Sequence, residues 1–211
     1  NFDDNEFREG RYGLGFYSDG TDDYVNISNS GYFPTGAISA TFSMWVNATN
    51  AQNNRLFHYT TGSLTSYEYF WVGTWGNEPN KLVAGWHPSS TNCIGVQNPF
   101  DNTWHHVTIS FNSTNLGMYI DGILDTSCSM SSLSIPAGQV QVVLNAHYIG
   151  NDMDGTIDDF VMWNRSLSSA EINQLYMTSL TKFNSTHWEL VVNQSNSSAS
   201  GLVDATYTYQ A

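Results

Sequence analysis

Asp158 is the residue whose position most strongly suggests metal chemistry. In the predicted strand of residues 157–163, alternation places Asp158 on the same face as Phe160 and Met162. A carboxylate that faces an apolar interior is costly unless it is neutralised or hydrogen-bonded. Ca²⁺, which takes about six to eight oxygen ligands, would neutralise it. Backbone N–H groups from a turn at Asp19 and Gly20 would also satisfy it, and the residues alone leave both explanations open.

The densest aromatic stretch of the chain has the composition of a sugar-binding face. Tyr69, Trp71 and Trp75 are separated by even numbers of residues, so a strand places them on one face, and a returning strand brings Trp86 close by. Aromatic rings stack on the CH faces of pyranoses, and nearby polar groups pair with hydroxyls. The same rings would also suit the core of a sandwich. The candidate ligand-binding residues are Tyr69, Trp71, Trp75 and Trp86.

The sequence does not place acidic or nucleophilic residues at the spacings that acid–base or nucleophilic catalysis requires. Retaining glycosidases need two carboxylates about 5 Å apart, and no E-x-D-x-E run occurs. Asp158 and Asp159 are adjacent, so a strand points their side chains to opposite faces. A catalytic triad of His105, His106 and Ser110 meets the same difficulty, because the two adjacent histidines also point to opposite faces. The sequence also lacks G-x-S-x-G, H-E-x-x-H and C-x-x-C motifs. We therefore predict a protein that is not an enzyme.

Strands must position most of these side chains. Residues 102–111 and 41–46 alternate at the strand period, with Phe42, Met44 and Val46 on one face of the second segment and Ser43 and Trp45 on the other. An Asp-Gly pair at residues 121–122 is typical of a tight hairpin turn. The confident helix signal is S-S-A-E at residues 168–171, a capping box followed by an apolar face. These patterns predict an all-β, two-sheet antiparallel sandwich with one short C-terminal helix.

The order of these segments resembles the LamG-like (laminin G and pentraxin type) branch of the concanavalin A-like jelly-roll lectins. The resemblance covers roughly residues 10–177. It depends on G-F-Y-S-D-G at 15–20, D-D-Y-V at 22–25, W-H-H-V at 104–107, M-Y-I-D-G at 118–122, G-T-I-D-D-F at 155–160 and W-N-R-S-L-S at 163–168.

This resemblance implies a jelly roll with a calcium site near the strand ends. Carried over residue by residue, the ligands are the side chains of Asp19 and Asp158 and the carbonyl oxygen of Gly20. Weaker candidates are Asp22, Asp23, Asn151 and Asp154. The predicted cofactor is therefore a structural Ca²⁺.

Composition restricts the partners. The net charge of −13 comes mainly from having six Lys and Arg residues among 211. Such a surface repels nucleic acid and anionic membranes. No segment approaches the ~18–20 apolar residues that a membrane span needs, so we expect neither nucleic-acid binding nor membrane insertion.

Cysteines and glycosylation sequons indicate an oxidising compartment. The two cysteines, Cys93 and Cys128, favour a single disulfide, and two unpaired buried thiols are the alternative. Asn-X-Ser/Thr sequons stand at Asn26, Asn47, Asn112, Asn164, Asn184, Asn193 and Asn196. Together these features predict a secreted or cell-surface glycoprotein.

The residues after the predicted helix do not continue the jelly-roll pattern. We predict a jelly-roll domain over residues 1–178 and, over 179–211, a linker with part of an immunoglobulin-like module. The tail holds a polar connection at 177–185, a strand at 187–192 and Tyr207 in the position of a tyrosine corner. A partial sandwich leaves open strand edges, so copies of this chain are candidate partners through strand complementation. A disordered or truncated tail is the alternative.

The expected function follows from the resemblance and the composition. We expect an extracellular structural or adhesion module of a cell-surface or filament-forming glycoprotein, with glycans as candidate ligands. The alternative is a carbohydrate-binding module attached to a carbohydrate-active enzyme.

Overall fold

Two antiparallel sheets stacked face to face form the body of the protein, as the all-β jelly-roll prediction requires. The computed structural model describes residues 7–28, 39–49, 53–61, 68–86, 92–129, 140–145, 153–182 and 188–192. One short helix, α1 (Ser169–Met177), lies within these ranges. The predicted fold class is confirmed.

The order of strands in each sheet brings distant parts of the chain together. The seven-stranded sheet runs through β1 (Phe7–Glu9), β2 (Leu14–Asp19), β13 (Asp154–Trp163), β4 (Ala40–Ala48), β9 (His105–Phe111), β10 (Asn115–Ile120) and β11 (Ile123–Ser129). The six-stranded sheet runs through β3 (Val25–Ser28), β12 (Val140–Leu144), β5 (Arg55–Thr61), β6 (Glu68–Trp75), β7 (Glu78–Trp86) and β8 (Cys93–Ile94). Because β13 pairs with both β2 and β4, strands far apart in sequence are neighbours, as in a jelly roll.

Alternating side chains fill the space between the sheets. In β4, Phe42, Met44 and Val46 belong to the core, whereas Ser43 and Trp45 lie on the outer face, as predicted. Phe42 has no exposed surface. Its ring contacts five other rings, those of Phe57, Tyr59, Phe70, Phe111 and Phe160. The sandwich is therefore centred on an aromatic cluster.

A bulge in β13 reverses the predicted direction of Asp158. The pairing of β13 with β4 shifts register just after Asp158, and Asp159 has a φ of 49°. Ile157 and Phe160 both pack in the core, so two residues lie between successive inward side chains, where a regular strand has one. The prediction that Asp158 shares a face with Phe160 and Met162 is therefore wrong, because alternation does not continue through the extra residue.

The predicted hairpin turn is confirmed. Asp121 and Gly122 join β10 to β11, and Ile120 pairs directly with Ile123. The φ angles of 52° and 76° at the two turn residues are both positive, as a two-residue turn that matches strand twist requires. Gly adopts this conformation without strain, and Asp tolerates it better than most residues.

The predicted helix start is also confirmed, and α1 covers part of the seven-stranded sheet. Ser168 Oγ accepts a hydrogen bond from the Glu171 backbone, and the Glu171 carboxylate accepts one from the Ser168 backbone. Ile172 is fully buried and packs with Tyr119 of β10 on the outer face of that sheet. No helix in the described ranges is long and apolar enough to cross a membrane.

The predicted disulfide links the two sheets. Cys93 of β8 and Cys128 of β11 are bonded, with their Cα atoms 5.8 Å apart. β8 and β11 are the edge strands of the six-stranded and seven-stranded sheets, so the bond closes one side of the sandwich. The disulfide prediction is confirmed.

A separate pair of strands follows the helix. β14 (Thr178–Lys182) pairs antiparallel with β15 (Trp188–Val192). The strand predicted at 187–192 is confirmed for residues 188–192, whereas the polar connection predicted at 177–185 is wrong because it contains β14. Residues 193–211, including Tyr207, lie outside the described residues. The immunoglobulin-like module, the boundary at residue 178 and strand complementation between copies stay predictions.

Candidate functional site

Trp71 and Trp75 come together on the outer face of the six-stranded sheet. Their ring centroids are 5.5 Å apart. Trp71 is 7% exposed and Trp75 is 45% exposed, so one indole supports the other at the surface. The guanidinium carbon of Arg55 lies 3.8 Å from the Trp71 ring centroid and 5.5 Å from that of Trp75. We call Arg55, Trp71 and Trp75 the indole platform.

Backbone carbonyls and a glycine hold the indole platform in place. Arg55 is 1% exposed, and its Nη1 donates hydrogen bonds to the carbonyl oxygens of Thr74 and Asn54, at 3.2 and 3.4 Å. A buried cation over an indole face contributes about 2 kcal/mol. Gly85 pairs with Trp71 across β6 and β7, and a Cβ at Gly85 would overlap the Trp71 ring. Sequence reasoning missed both Arg55 and Gly85.

The other predicted aromatic ligands do not join the indole platform. Trp86 pairs with Phe70, and both side chains belong to the core between the sheets. The prediction of Trp86 as a ligand-binding residue is therefore wrong, because strand parity turns it inward. The Tyr69 side chain lies outside the described residues.

His105, His106 and Ser110 are not brought together for catalysis. His105 Nδ1 lies 2.9 Å from Asp121 Oδ2, and its Nε2 lies 3.2 Å from Asp101 Oδ1. The hydrogen bond with Asp121 raises the pKa of His105. Ser110 instead donates a hydrogen bond to the Leu167 carbonyl oxygen, in the segment that precedes the helix.

His106 lies on the outer face of the seven-stranded sheet beside Ser43. Its Nε2 is 2.7 Å from Ser43 Oγ, and its Nδ1 has no hydrogen-bond partner in the described structure. The side chain is 3% exposed, and burial lowers the pKa of His106 to about 4 against the opposing effect of Asp121. A buried, neutral imidazole with no carboxylate on Nδ1 is a weak general base at neutral pH.

His106 gives the fold a predictable acid sensitivity. In the unfolded chain His106 has a pKa near 6.5, whereas in the folded protein its pKa is about 4. The contribution of His106 to stability therefore falls as the pH drops from about 6.5 to about 4. Between pH 7 and pH 5 we expect His106 to account for a loss of about 2 kcal/mol. Urea unfolding of wild type and His106→Gln at both pH values measures this loss of stability.

The matched control is His105→Gln, because folding raises the pKa of His105 and lowers that of His106. The raised pKa of His105 gives stabilisation that is complete below pH 6.5 and lost as the pH rises through the folded value. His105→Gln should therefore retain the acid sensitivity that His106→Gln removes. Equal acid sensitivity in wild type and His106→Gln would contradict the assignment.

Family comparison matches most of the chain to a known superfamily. The Laminin_G_3 family model, described as concanavalin A-like lectin/glucanases superfamily, matches residues 19–173. The chain belongs to this superfamily. A comparison with curated proteins finds no match.

Solved structures share the concanavalin A-like fold at low identity. Domain 4 of AbnA, a GH43 extracellular arabinanase from Geobacillus stearothermophilus, was solved in complex with arabinotriose. It is 17% identical with a TM-score of 0.63, over 81% of this chain and 80% of that one. The botulinum neurotoxin serotype G binding domain is 14% identical with a TM-score of 0.62, over 81% and 44%. The binding domain of botulinum neurotoxin DC in complex with SialylT is 17% identical with a TM-score of 0.58, over 81% and 44%. The concanavalin A-like chain thus spans less than half of these toxin domains.

The calcium ligands predicted for this concanavalin A-like chain do not form one site. Asp19 pairs with Asp154 and Phe16 with Ile157, so Asp158 lies about four residues, or roughly 13 Å, along β2 from Asp19. The predicted set of Asp19, Gly20 and Asp158 is therefore wrong as a single cluster. Among the described residues, no three His, Cys, Asp or Glu side chains are placed to hold a metal ion.

Asp158 accepts hydrogen bonds from two backbone N–H groups. Its Oδ2 accepts a hydrogen bond from the Tyr12 backbone at 2.9 Å, and its Oδ1 accepts one from the Asp159 backbone at 2.8 Å. It thus ties β13 to the turn before β2, and not to the turn at Asp19 and Gly20.

The acidic turn after β2 uses its own side chains to satisfy its backbone. Asp19 Oδ1 accepts from Thr21 N, and Asp23 Oδ2 accepts from Asp19 N. Asp22 belongs to the same turn, and Asn151 lies outside the described residues. Calcium binding stays a prediction.

The predicted glycosylation sites differ in exposure. Asn26, Asn112 and Asn164 are exposed, as an N-glycan requires, whereas Asn47 is half-buried within β4. Asn184, Asn193 and Asn196 lie outside the described residues. Occupancy at each site stays a prediction.

Proposed function

We propose that this chain is a non-catalytic carbohydrate-binding module and that the indole platform is its binding surface. The observation that carries the proposal is the 45% exposure of Trp75 beside the Trp71 ring. An exposed indole leaves apolar area in water that a sugar CH face covers on binding. Trp71, held by Arg55, fixes the orientation of Trp75 before the ligand arrives, which lowers the entropic cost of binding.

Polar side chains that suit sugar hydroxyls lie beside Trp75. Strand register places Glu78 directly opposite Trp75, and Glu78 forms an ion pair of 2.8 Å with Lys81. Both side chains are more than one third exposed, so their donors and acceptors remain accessible to a ligand. Glu78 is a carboxylate opposite Trp75, whereas glycoside hydrolysis uses two carboxylates that flank the scissile bond. This favours binding over catalysis.

The comparisons support a glycan as the ligand class. The arabinanase domain was solved with arabinotriose, and the botulinum neurotoxin DC binding domain with SialylT. Another botulinum neurotoxin structure, type C, describes interaction with two ganglioside molecules. We infer an extracellular setting from these relatives, the disulfide and the sequons.

Two settings suit such a module. Attachment to a carbohydrate-active enzyme is favoured by the arabinanase domain, four fifths of which this chain covers. A structural or adhesion role in a cell-surface or filament-forming glycoprotein is the second setting, and the sequons support it.

Replacing Trp75 by alanine tests the indole platform. We expect Trp75→Ala to weaken glycan binding about tenfold or more, because loss of an aromatic contact of about 1.4 kcal/mol corresponds to a factor of ten. A glycan array that includes arabino-oligosaccharides and sialylated glycans selects the ligand. Isothermal titration calorimetry then gives the affinities with and without EDTA. Binding that persists in EDTA shows that glycan recognition does not require bound calcium.

Tyr24→Ala is the matched control, since Tyr24 is 39% exposed and lies outside the indole platform. It should bind like wild type. Absence of binding to every glycan on the array, or equal binding by Trp75→Ala and wild type, would overturn the proposed function.

A further inference from the structure

A second concave site lies on the opposite side of the sandwich, on the outer face of the seven-stranded sheet. It is a half-enclosed pocket of about 150 Å³, which we call the helix pocket because the C-terminal end of α1 forms one wall. The polar and aromatic side chains that line it are Ser43, Trp45, His106, Asp159, Trp163 and Thr178. Apolar contacts from β13 and α1 complete the lining. It shares no residue with the indole platform.

Strand pairing and the β13 bulge build the helix pocket. Ser43 and Trp45 of β4 lie next to each other on the outer face, and Trp45 pairs with His106 of β9. The extra residue of the bulge turns Asp159 toward the same face, at a φ of 49°. An Asp in the left-handed region beside a cavity is a strained feature of the kind that collects at binding sites.

His106 leaves a buried polar atom unsatisfied in the helix pocket. Nε2 contacts Ser43 Oγ at 2.7 Å, and Nδ1 has no partner in the described structure. An unpaired buried polar group costs about 1–3 kcal/mol, and His106 Nδ1 is one of several such atoms in the described structure. The neutral ring has one donor and one acceptor, but Nε2 is engaged with Ser43 and Nδ1 is shielded from solvent, so the ring lines the pocket without an accessible polar atom. The Trp45 ring, with its centroid 5.2 Å from that of His106, is 4% exposed and packs beside the imidazole at the base of the pocket.

Charge distinguishes between ligand classes. Asp159 is the one charged side chain in the described lining, and the lining contains no Lys or Arg. Partial desolvation and the neighbouring Asp158 raise the pKa of Asp159, since both disfavour its charged form. An anionic ligand would be repelled, whereas vicinal hydroxyls can donate to the carboxylate.

We propose that the helix pocket binds a single uncharged sugar residue, the terminal unit of a neutral glycan. Its volume is below the roughly 300–1,000 Å³ of pockets for drug-sized ligands, so one ring is the appropriate size. Trp163 is half-buried and provides a stacking surface, and the exposed side chains of Asp159 and Thr178 provide hydrogen-bonding groups. The module then holds glycans on both faces. This site does not depend on glycan binding at the indole platform.

Nuclear magnetic resonance of the full chain tests the helix pocket directly. The probes are the methyl glycosides of arabinose, galactose, mannose, fucose and N-acetylglucosamine, with methyl sialoside as the anionic comparison. We expect at least one neutral glycoside to shift the indole N–H signals of Trp45 and Trp163 and the ring signals of His106, while the sialoside does not. Trp75→Ala should leave these shifts unchanged, which separates this site from the indole platform.

Asp159→Asn is the diagnostic variant because Asn also tolerates a positive φ, so the bulge is retained. We expect it to weaken binding of the neutral glycoside at least tenfold with an unchanged circular dichroism spectrum. Three results would each overturn the proposal: no shift with any neutral glycoside, equal affinity in Asp159→Asn, or stronger shifts from tetramethylammonium chloride than from the glycosides. The last result would assign the pocket to an organic cation.

Discussion

Replacing Phe42 by alanine is expected to lower the free energy of unfolding by about 3–5 kcal/mol, the range for a fully buried aromatic residue. Phe42 has no exposed surface, and its ring centroid lies 4.8 Å from that of Phe57 and 5.5 Å from that of Tyr59. These partners belong to the six-stranded sheet, whereas Phe42 belongs to the seven-stranded one. The truncation therefore opens a cavity between the sheets, where neither sheet can close it alone.

Urea unfolding followed by tryptophan fluorescence measures this loss as a lower midpoint with an unchanged slope. Phe7→Ala is the matched control, because Phe7 is 52% exposed on the edge strand β1. It should change stability by less than about 0.5 kcal/mol. A loss at Phe42 as small as that at Phe7 would contradict an aromatic core centred on Phe42.

Removing the Cys93–Cys128 disulfide is expected to cost about 4 kcal/mol. The bond closes a segment with a sequence separation of 35 residues, and the chain-entropy model assigns about this free energy to such a loop. It also joins the edges of the two sheets, so unfolding can begin there once it is absent. The variant Cys93→Ala with Cys128→Ala avoids burying a hydroxyl at Cys93, which has no exposed surface.

Thermal unfolding of this variant, of wild type and of wild type with dithiothreitol provides the comparison. Reductant should destabilise wild type and leave the alanine variant unchanged. If the variant and wild type melt at the same temperature, the disulfide does not hold the sandwich closed.

Local patterns determined much of the architecture. The capping box at Ser168, the Asp121-Gly122 turn and the alternation in β4 each depend on residues a few positions apart. Such features are set by the backbone conformations and hydrogen bonds of short segments, which neighbouring residues specify. The disulfide was also predictable, since the chain has two cysteines and no competing partners.

The candidate sites depended on contacts that no short segment contains. One extra residue in β13 moved Asp158 to the outer face and placed Asp159 in the helix pocket, because a single insertion inverts every later side chain relative to alternation. Arg55 reaches Trp71 only across two paired strands.

The sequence by itself thus determined the class of fold, the helix start and the hairpin, because local hydrogen bonding and alternation specify them. Only the tertiary structure decided which aromatic rings are exposed and which polar groups meet. Those outcomes depend on strand register and on a bulge, and both arise from packing between segments far apart in the chain.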